Sequence, residues 1–258
     1  MGEIFGAAGE AHLRQLNDFV EGLSAAELPD AVKELAALQN QNLTAAGAEL
    51  LQRLVQRWVK DDGAAAAAWV TQMPAGADRL AAVTALSSAW ADQNFQDAVT
   101  WADALPAGDE KQKAQATIAA AAVYDHPLDA LNLARAMTAG PERDDIVTRA
   151  AGVWAQTAPE AAVAWANQVE DVALRQQAIA SIATRWAEQD SVTAGNLAVN
   201  SLPPGELLDR TVIAIVQRWA MTDTAAATAW AKQFPEGEMR QLALNTIAEF
   251  NQRSHPAP

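Results

Sequence analysis

The chain contains no cysteine. Disulfide frameworks, thiolate-bound zinc and thiol nucleophiles are excluded at once. Histidine is scarce too. His12 and His255 lie near the ends and His126 lies in a turn, so no His-Glu-x-x-His spacing sets two imidazoles on one helical face. Glycine takes only 13 positions, and none of them forms a phosphate-cradling loop or a Gly-x-Ser-x-Gly elbow. β-branched runs of the kind that build strands are nearly absent. No stretch has the length or purity of a membrane span. Basic residues are few, 18 Lys and Arg against 32 Asp and Glu, for a net charge of −14. A surface of that sign repels phosphates, which argues against nucleic acid as a partner. It keeps an alanine-rich protein soluble and is compatible with a basic peptide or protein partner.

What is present is alanine, at 62 of 258 positions, and tryptophan, nine times against one tyrosine and five phenylalanines. Alanine is the best helix former, so the composition favours helix. So skewed an aromatic choice points to one structural slot used many times.

The tryptophans expose an internal repeat, the pattern that fixes the architecture of such chains. Trp58, Trp90, Trp154, Trp186 and Trp219 are separated by 32, 64, 32 and 33 residues, with Ala122 at the vacant step. A second set follows each anchor by 11 residues: Trp69, Trp101, Trp165 and Trp230, with Leu133 and Leu197 in the remaining slots. Extrapolation reaches back to Ala26, with Asp30 after it, and forward to Asn251 beside Phe250. Four residues after their anchors stand Asp62, Asn94, Asp190 and Asp223. These types cap helix N-termini by accepting a backbone N–H bond. Pro127 and Pro159 follow at the next position, the first helical residue, where the missing N–H costs nothing. The extra residue of the 33-step falls near Leu202-Pro203-Pro204, in a turn.

Each unit therefore reads as two helices. The first is short, ends near Pro74, Pro106 or Pro235, and is apolar on one face, as at Ala98, Trp101, Ala102 and Leu105. The second starts after a turn such as Pro106-Ala107-Gly108-Asp109-Glu110 and is apolar on one face, as at Ile146, Val147, Ala150 and Ala151. Both spacings match the helical period. Helices this short cannot bury those faces alone, and stacking on neighbours buries them. The expected fold is all-α, an α-solenoid of about seven helix-turn-helix repeats of 32 residues, wound as a right-handed superhelix. Ala66, Ala98, Ala130, Ala162, Ala194 and Ala227 let helices approach closely. The structural core is expected to contain Trp58, Trp69, Trp90, Trp101, Trp154, Trp165, Trp186, Trp219 and Trp230. Residues 1–25 are expected to hold a capping helix over 9–23, with Leu13, Leu16, Phe19, Val20 and Leu23 apolar; 26–251 form the solenoid and 252–258 a disordered tail.

The motif Trp-x3-Asp-x3-Ala-x2-Trp continues with x4-Pro and a basic residue five later, filled by Arg79, Lys111, Arg143, Arg175 and Arg240. It resembles the Trp- and Ala-rich helical-hairpin repeats of bacterial proteins and, more loosely, the tetratricopeptide class of α-solenoids. The likeness covers residues 26–251, with a period of 32 and without the Trp-Leu-Gly-Tyr spacing of tetratricopeptides. The resemblance implies a protein-interaction scaffold. The lack of cysteine leans towards a bacterial periplasmic or other extracytoplasmic location, with the cytoplasm as the alternative. Met1 to Ala11 carries no basic region followed by an apolar run.

No catalytic residue, metal ligand or cofactor is expected. The acidic pairs Asp61-Asp62 and Asp144-Asp145 read as solvated helix starts, since Ala65 and Thr148 stand where a third acid would complete a magnesium-diphosphate motif. The basic slot is placed to stack on the preceding tryptophan as a cation–π pair, with an anion site as the sharper alternative. His126 caps the one unit that lacks both tryptophans, so that unit is either specialised or drifted. The candidate binding row is thirteen residues after the anchors: Thr71, Asp103, Arg135, Asn167 and Lys232. It points away from the core and is expected to line a concave groove. The expected function is a non-enzymatic protein- or peptide-binding scaffold; the rivals are an α/α toroid hydrolase or cyclase and a structural spacer in the cell envelope.

Overall fold

The computed structural model of the protein describes residues 18–24, 26–32 and 45–254. All regular structure among these residues is helical, with no strand. The chain divides into two compact units, Met1–Ala122 and Val123–Pro258. The first contains α1 (Ala45–Gln72), α2 (Ala77–Gln93), α3 (Phe95–Ala104) and α4 (Asp109–Ala122). The second contains α5 (Pro127–Ala136), α6 (Pro141–Trp154), α7 (Pro159–Ala166), α8 (Val172–Trp186), α9 (Ser191–Ser201), α10 (Glu206–Ala231) and α11 (Glu238–Ser254).

One backbone feature recurs four residues after every anchor. Asp62 and Asn94 in the first unit take φ/ψ of −153°/88° and −148°/89°. His126, Ala158, Asp190 and Asp223 in the second take −134°/57°, −146°/66°, −141°/90° and −151°/87°. Each is an extended residue that starts a new helix. Where it follows directly on a helix, the result is a kink, at Asp62 in α1 and at Asp223 in α10. Four of these side chains accept the bond expected of a cap: from Ala65 N at 2.9 Å, Asp97 N at 3.2 Å, Thr193 N at 2.9 Å and Ala226 N at 2.8 Å. His126 and Ala158 provide no side-chain cap, and these are the two followed by proline at the first helical position. The preset φ of proline supports the helix start there without a side-chain acceptor.

Packing follows from the alanine slot. Ala66, Ala98, Ala130, Ala162, Ala194 and Ala227 are all 0% exposed, so each short helix seats its backbone close to its neighbours. In the first unit α2 packs on α1 and α4, and α3 lies against both α2 and α4. In the second unit the longer helices pack in series, α6 on α8 and α8 on α10, with α7 against α6 and α8, and α9 against α8 and α10. Ile146, Val147, Ala150 and Ala151 on α6 are buried, as their spacing requires. Gly152 permits that contact: a Cβ there would lie 2.5 Å from Ser181 Oγ, which itself donates to Thr148 O at 2.7 Å.

The start of the chain departs from the projected register. Residues 18–22 are helical, Val20 is buried and Phe19 is 52% exposed rather than inward-facing; Leu13 and Leu16 lie outside the described residues. Asp30 sits inside the helical stretch 28–32 instead of capping it. The cap is Ser24, whose N and Oγ both donate to Glu27 Oε2, at 2.9 and 2.6 Å. Those two bonds to one carboxylate oxygen, with Leu28 N donating to Ser24 O, fix the helix start six residues before Asp30. The tail expected to be disordered, 252–258, lies beyond the described side chains, its first three residues continuing α11.

Candidate functional site

Thr71, Asp103, Arg135, Asn167 and Lys232 are all exposed and stand at or just past the C-terminal ends of short helical segments. They are not chemically alike. Thr71 Oγ1 donates to Ala67 O at 2.8 Å. Asp103 is engaged within its unit: its carbonyl accepts from Lys111 Nζ at 2.6 Å and its Oδ1 from Gln115 Nε2 at 3.0 Å. Asn167 and Lys232 are the C-cap residues of α7 and α10. Arg135 makes no hydrogen bond or ion pair with any described residue.

The tryptophans divide into buried ones, Trp58, Trp90, Trp165, Trp219 and Trp230, and half-buried ones, Trp69, Trp101, Trp154 and Trp186. The two Trp sets meet face to tilted face. Trp58–Trp69, Trp90–Trp101 and Trp219–Trp230 have centroids 6.2, 6.1 and 5.8 Å apart and interplanar angles of 46°, 44° and 48°. In these three pairs the chain turns back at the cap residue so that the second ring packs on the first.

The basic slot takes partners other than the expected tryptophan face. Arg79 Nη1 donates to Met73 O at 3.0 Å and Arg175 Nη1 to Val169 O at 2.7 Å. Lys111 donates to Asp103 O, as above. These carbonyls lie in or just past the last turn of a short helix, where backbone acceptors lack helical partners and a cation is favoured. Carboxylates from the next long helix or the turn before it complete the arrangement: Arg79 Nη2 to Glu110 Oε2 at 2.7 Å and Arg143 Nη2 to Asp171 Oδ2 at 2.8 Å. The Arg143 guanidinium is 13% exposed and also meets Asp144 at 2.8 Å. Burial works against its charge, but the bonds to Asp171 and Asp144 outweigh that and raise its pKa. Asp171 is held below the usual carboxylate range by the Leu174 N–H and then by Arg143.

Arg135 and Arg143 share a cavity of about 380 Å³ with Trp165, Gln168, Glu170 and Asp171. A larger groove, about 780 Å³, runs along the outer face of α8 and α10 beside Thr148 of α6, with Gln176, Gln177, Ser181, Arg185, Arg210 and Thr211 among its walls. The sequence reading placed binding on the short helices and passed over this face. The signal was available: Gln177, Ser181, Thr184 and Arg185 fall at helical spacing opposite the apolar stripe of α8. Among the described residues no group of three or more His, Asp or Glu is arranged to hold a metal ion, and no helix is long and apolar enough to cross a membrane. Comparison with known proteins yields no family model, no curated protein and no solved structure that matches the chain.

Proposed function

We propose that the chain is an α-solenoid of 32-residue helical hairpins, about seven in number, that serves as a non-enzymatic scaffold for a protein or peptide partner. One observation carries the reading: scaffold bonds recur while surface residues change. Gln93 Nε2 donates to Lys60 O at 3.0 Å, and Gln189 Nε2 to Gln156 O at 2.6 Å, in the same register of two different units. At thirteen residues past the anchors the same backbone carries a hydroxyl, a carboxylate, a guanidinium, an amide and an ammonium. A constant frame with varied exposed chemistry is how a repeat surface acquires specificity.

The test is a pull-down with the full chain, followed by affinity measurements on charge-reversed variants. A changed affinity of Arg135→Glu or Asn167→Asp marks the short-helix row as the contact surface, and a changed affinity of Arg210→Glu marks the α8–α10 groove. The net charge of −14 attracts a basic partner over roughly the ~8 Å screening length at physiological salt, so association slows as salt rises while dissociation changes less. Unchanged affinity in all three variants would rule out both surfaces, and recovery of no partner would sink the scaffold reading.

A further inference from the structure

The long helices of the second unit close on each other between α6 and α8 and part between α8 and α10. At the first junction Gly152 of α6 leaves the room that Ser181 Oγ of α8 takes, and that oxygen donates across to Thr148 O at 2.7 Å. One repeat on, the registers of Gly152, Ser181 and Thr148 hold Thr184, Ala214 and Ala180. Thr184 adds a side chain where Gly152 has none, and Ala214 has no hydroxyl to give. Ala180 O instead accepts from Thr184 Oγ1 of its own helix, at 2.8 Å. A bond between helices has become a bond within one. The same repeat takes the 33-residue step, its extra residue near the turn Leu202-Pro203-Pro204 that precedes α10. α8 packs less closely on α10 than on α6. The space between them is the groove of about 780 Å³, within the roughly 300–1,000 Å³ of sites that enclose small ligands.

The lining selects the occupant by hydrogen bonding rather than by charge. Its charged residues are each paired, Arg210 with Glu206 at 4.0 Å and Arg185 with Glu188 at 3.4 Å. Ala173, Ala180 and Ala214 supply small apolar surface. Gln176 and Gln177 of α8 make no hydrogen bond with any described residue, and each carboxamide offers two donors and an acceptor. The hydroxyl protons of Ser181 and Thr184 are spent on carbonyls, so towards the groove these oxygens can only accept. Such a mixture of donors and acceptors matches the peptide unit, which carries one of each. An anion would face the hydroxyl lone pairs, and a sugar would find no aromatic ring among the lining residues to stack on. We propose that the groove binds an extended, uncharged polypeptide segment, whose N–H groups donate to Ser181 and Thr184 and whose peptide units pair with the carboxamides of Gln176 and Gln177. The proposal rests on the scaffold reading and deepens it, choosing the long-helix face over the short-helix row and a peptide strand over a folded surface.

The experiment selects heptapeptides from a random display library on the full chain. The selected peptides are then titrated into ¹⁵N-labelled protein while the side-chain amide resonances of Gln176 and Gln177 are followed. They are uncharged, move both amides saturably and bind with little dependence on salt. Gln177→Ala, an exposed substitution, weakens them by roughly three- to tenfold, the loss of one or two hydrogen bonds. Ala214→Trp fills the groove and abolishes binding; Ala173→Trp, at an exposed lining position, does the same where the first variant fails to fold. Enrichment of no peptide, unmoved Gln176 and Gln177 amides, or full affinity in Gln177→Ala and in the folded blocking variant overturns the proposal. So does maltohexaose, if it moves these amides and no peptide does. A partner recovered by pull-down that binds the blocking variant at full strength overturns this site and leaves the scaffold reading standing. Selected peptides that bind here while the pull-down recovers no partner uphold the site and count against the scaffold reading.

Discussion

The units Met1–Ala122 and Val123–Pro258 are built with the same bonds and differ in what those bonds leave over. Both use an extended cap residue four positions after the anchor, a Gln side chain reaching the carbonyl of the preceding repeat, and an Arg on the carbonyl after a short helix. Both tilt their Trp pairs by nearly the same angle, 44° for Trp90–Trp101 and 48° for Trp219–Trp230. The recurring hydrogen bonds each have a backbone group at one end, which the chain supplies regardless of sequence. The difference lies in side-chain partners. In the first unit Arg79 and Glu110 neutralise each other and Thr71 bonds its own helix. In the second, Arg135, in the register of Thr71, makes no hydrogen bond or ion pair with any described residue. A frame held by backbone acceptors lets its exposed residues change without a structural penalty.

The comparison is broken most severely at the rings. Trp165→Ala removes a 93%-buried ring, whose exposure is 7%, and should cost about 3–5 kcal/mol. The half-buried Trp101→Ala should cost less, and urea melts of the two variants measure the gap. Equal losses would mean that the units do not differ in how they use this slot. If the hairpins stack as proposed, the loss in Trp165→Ala should show as a broadened transition.

Close approach of backbone to ring comes next. A Cβ at Gly63 would stand 2.7 Å from Trp90 Nε1, and one at Gly195 would stand 2.5 Å from Trp230 Cζ2. Gly63→Ala and Gly195→Ala each overpack a ring, one per unit, and should cost about 1–3 kcal/mol in thermal or urea unfolding despite the helix preference of alanine. A stabilised variant would show that the ring moves freely aside.

Cap substitutions give smaller effects of opposite sign. Asp190→Ala should cost about 1 kcal/mol, because the side chain accepts from Thr193 N. Ala158→Asp, at the cap that lacks a side-chain acceptor, should gain roughly 0.5–1 kcal/mol by the same mechanism. A differential scanning melt reads both.

The smallest effect is in acid. Asp190 is held below the ordinary carboxylate range by hydrogen bonds from Thr193 Oγ1 and N, and Asp171 by Leu174 N and Arg143. A carboxyl with a lower pKa folded than unfolded stabilises the fold fully above the unfolded value of about 4 and loses that contribution as pH falls through the folded one. Asp190→Asn keeps an acceptor but cannot titrate. Its melting temperature should lie below wild type at neutral pH, where the charged cap contributes, and converge with wild type as the solution is acidified. An identical acid slope would show that Asp190 takes no part.

The helical character, the caps and the buried alanines were legible because they rest on local, periodic signals. Ala98, Ala130 and Ala162 are fully buried where the spacing put them, and Asn94 and Asp190 cap where four-residue spacing put them. Extrapolation failed at Asp30, because no tryptophan marks that step and the Ser24–Glu27 pairing sets the helix start there. The basic slot was visible as a pattern but not as a bond. Position on a helix does not tell whether a long flexible guanidinium lands on a ring or on a carbonyl.

The sequence by itself determined the helices, their starts and the faces they bury, since a cap, a proline and a 3.6-residue apolar period act within a few residues of themselves. Tertiary structure alone decided which polar groups find partners. Trp230 and Trp165 occupy the same slot, yet one N–H meets Asn196 and the other is buried without an acceptor. That outcome depends on where a side chain about thirty residues away comes to rest, and no local propensity encodes it.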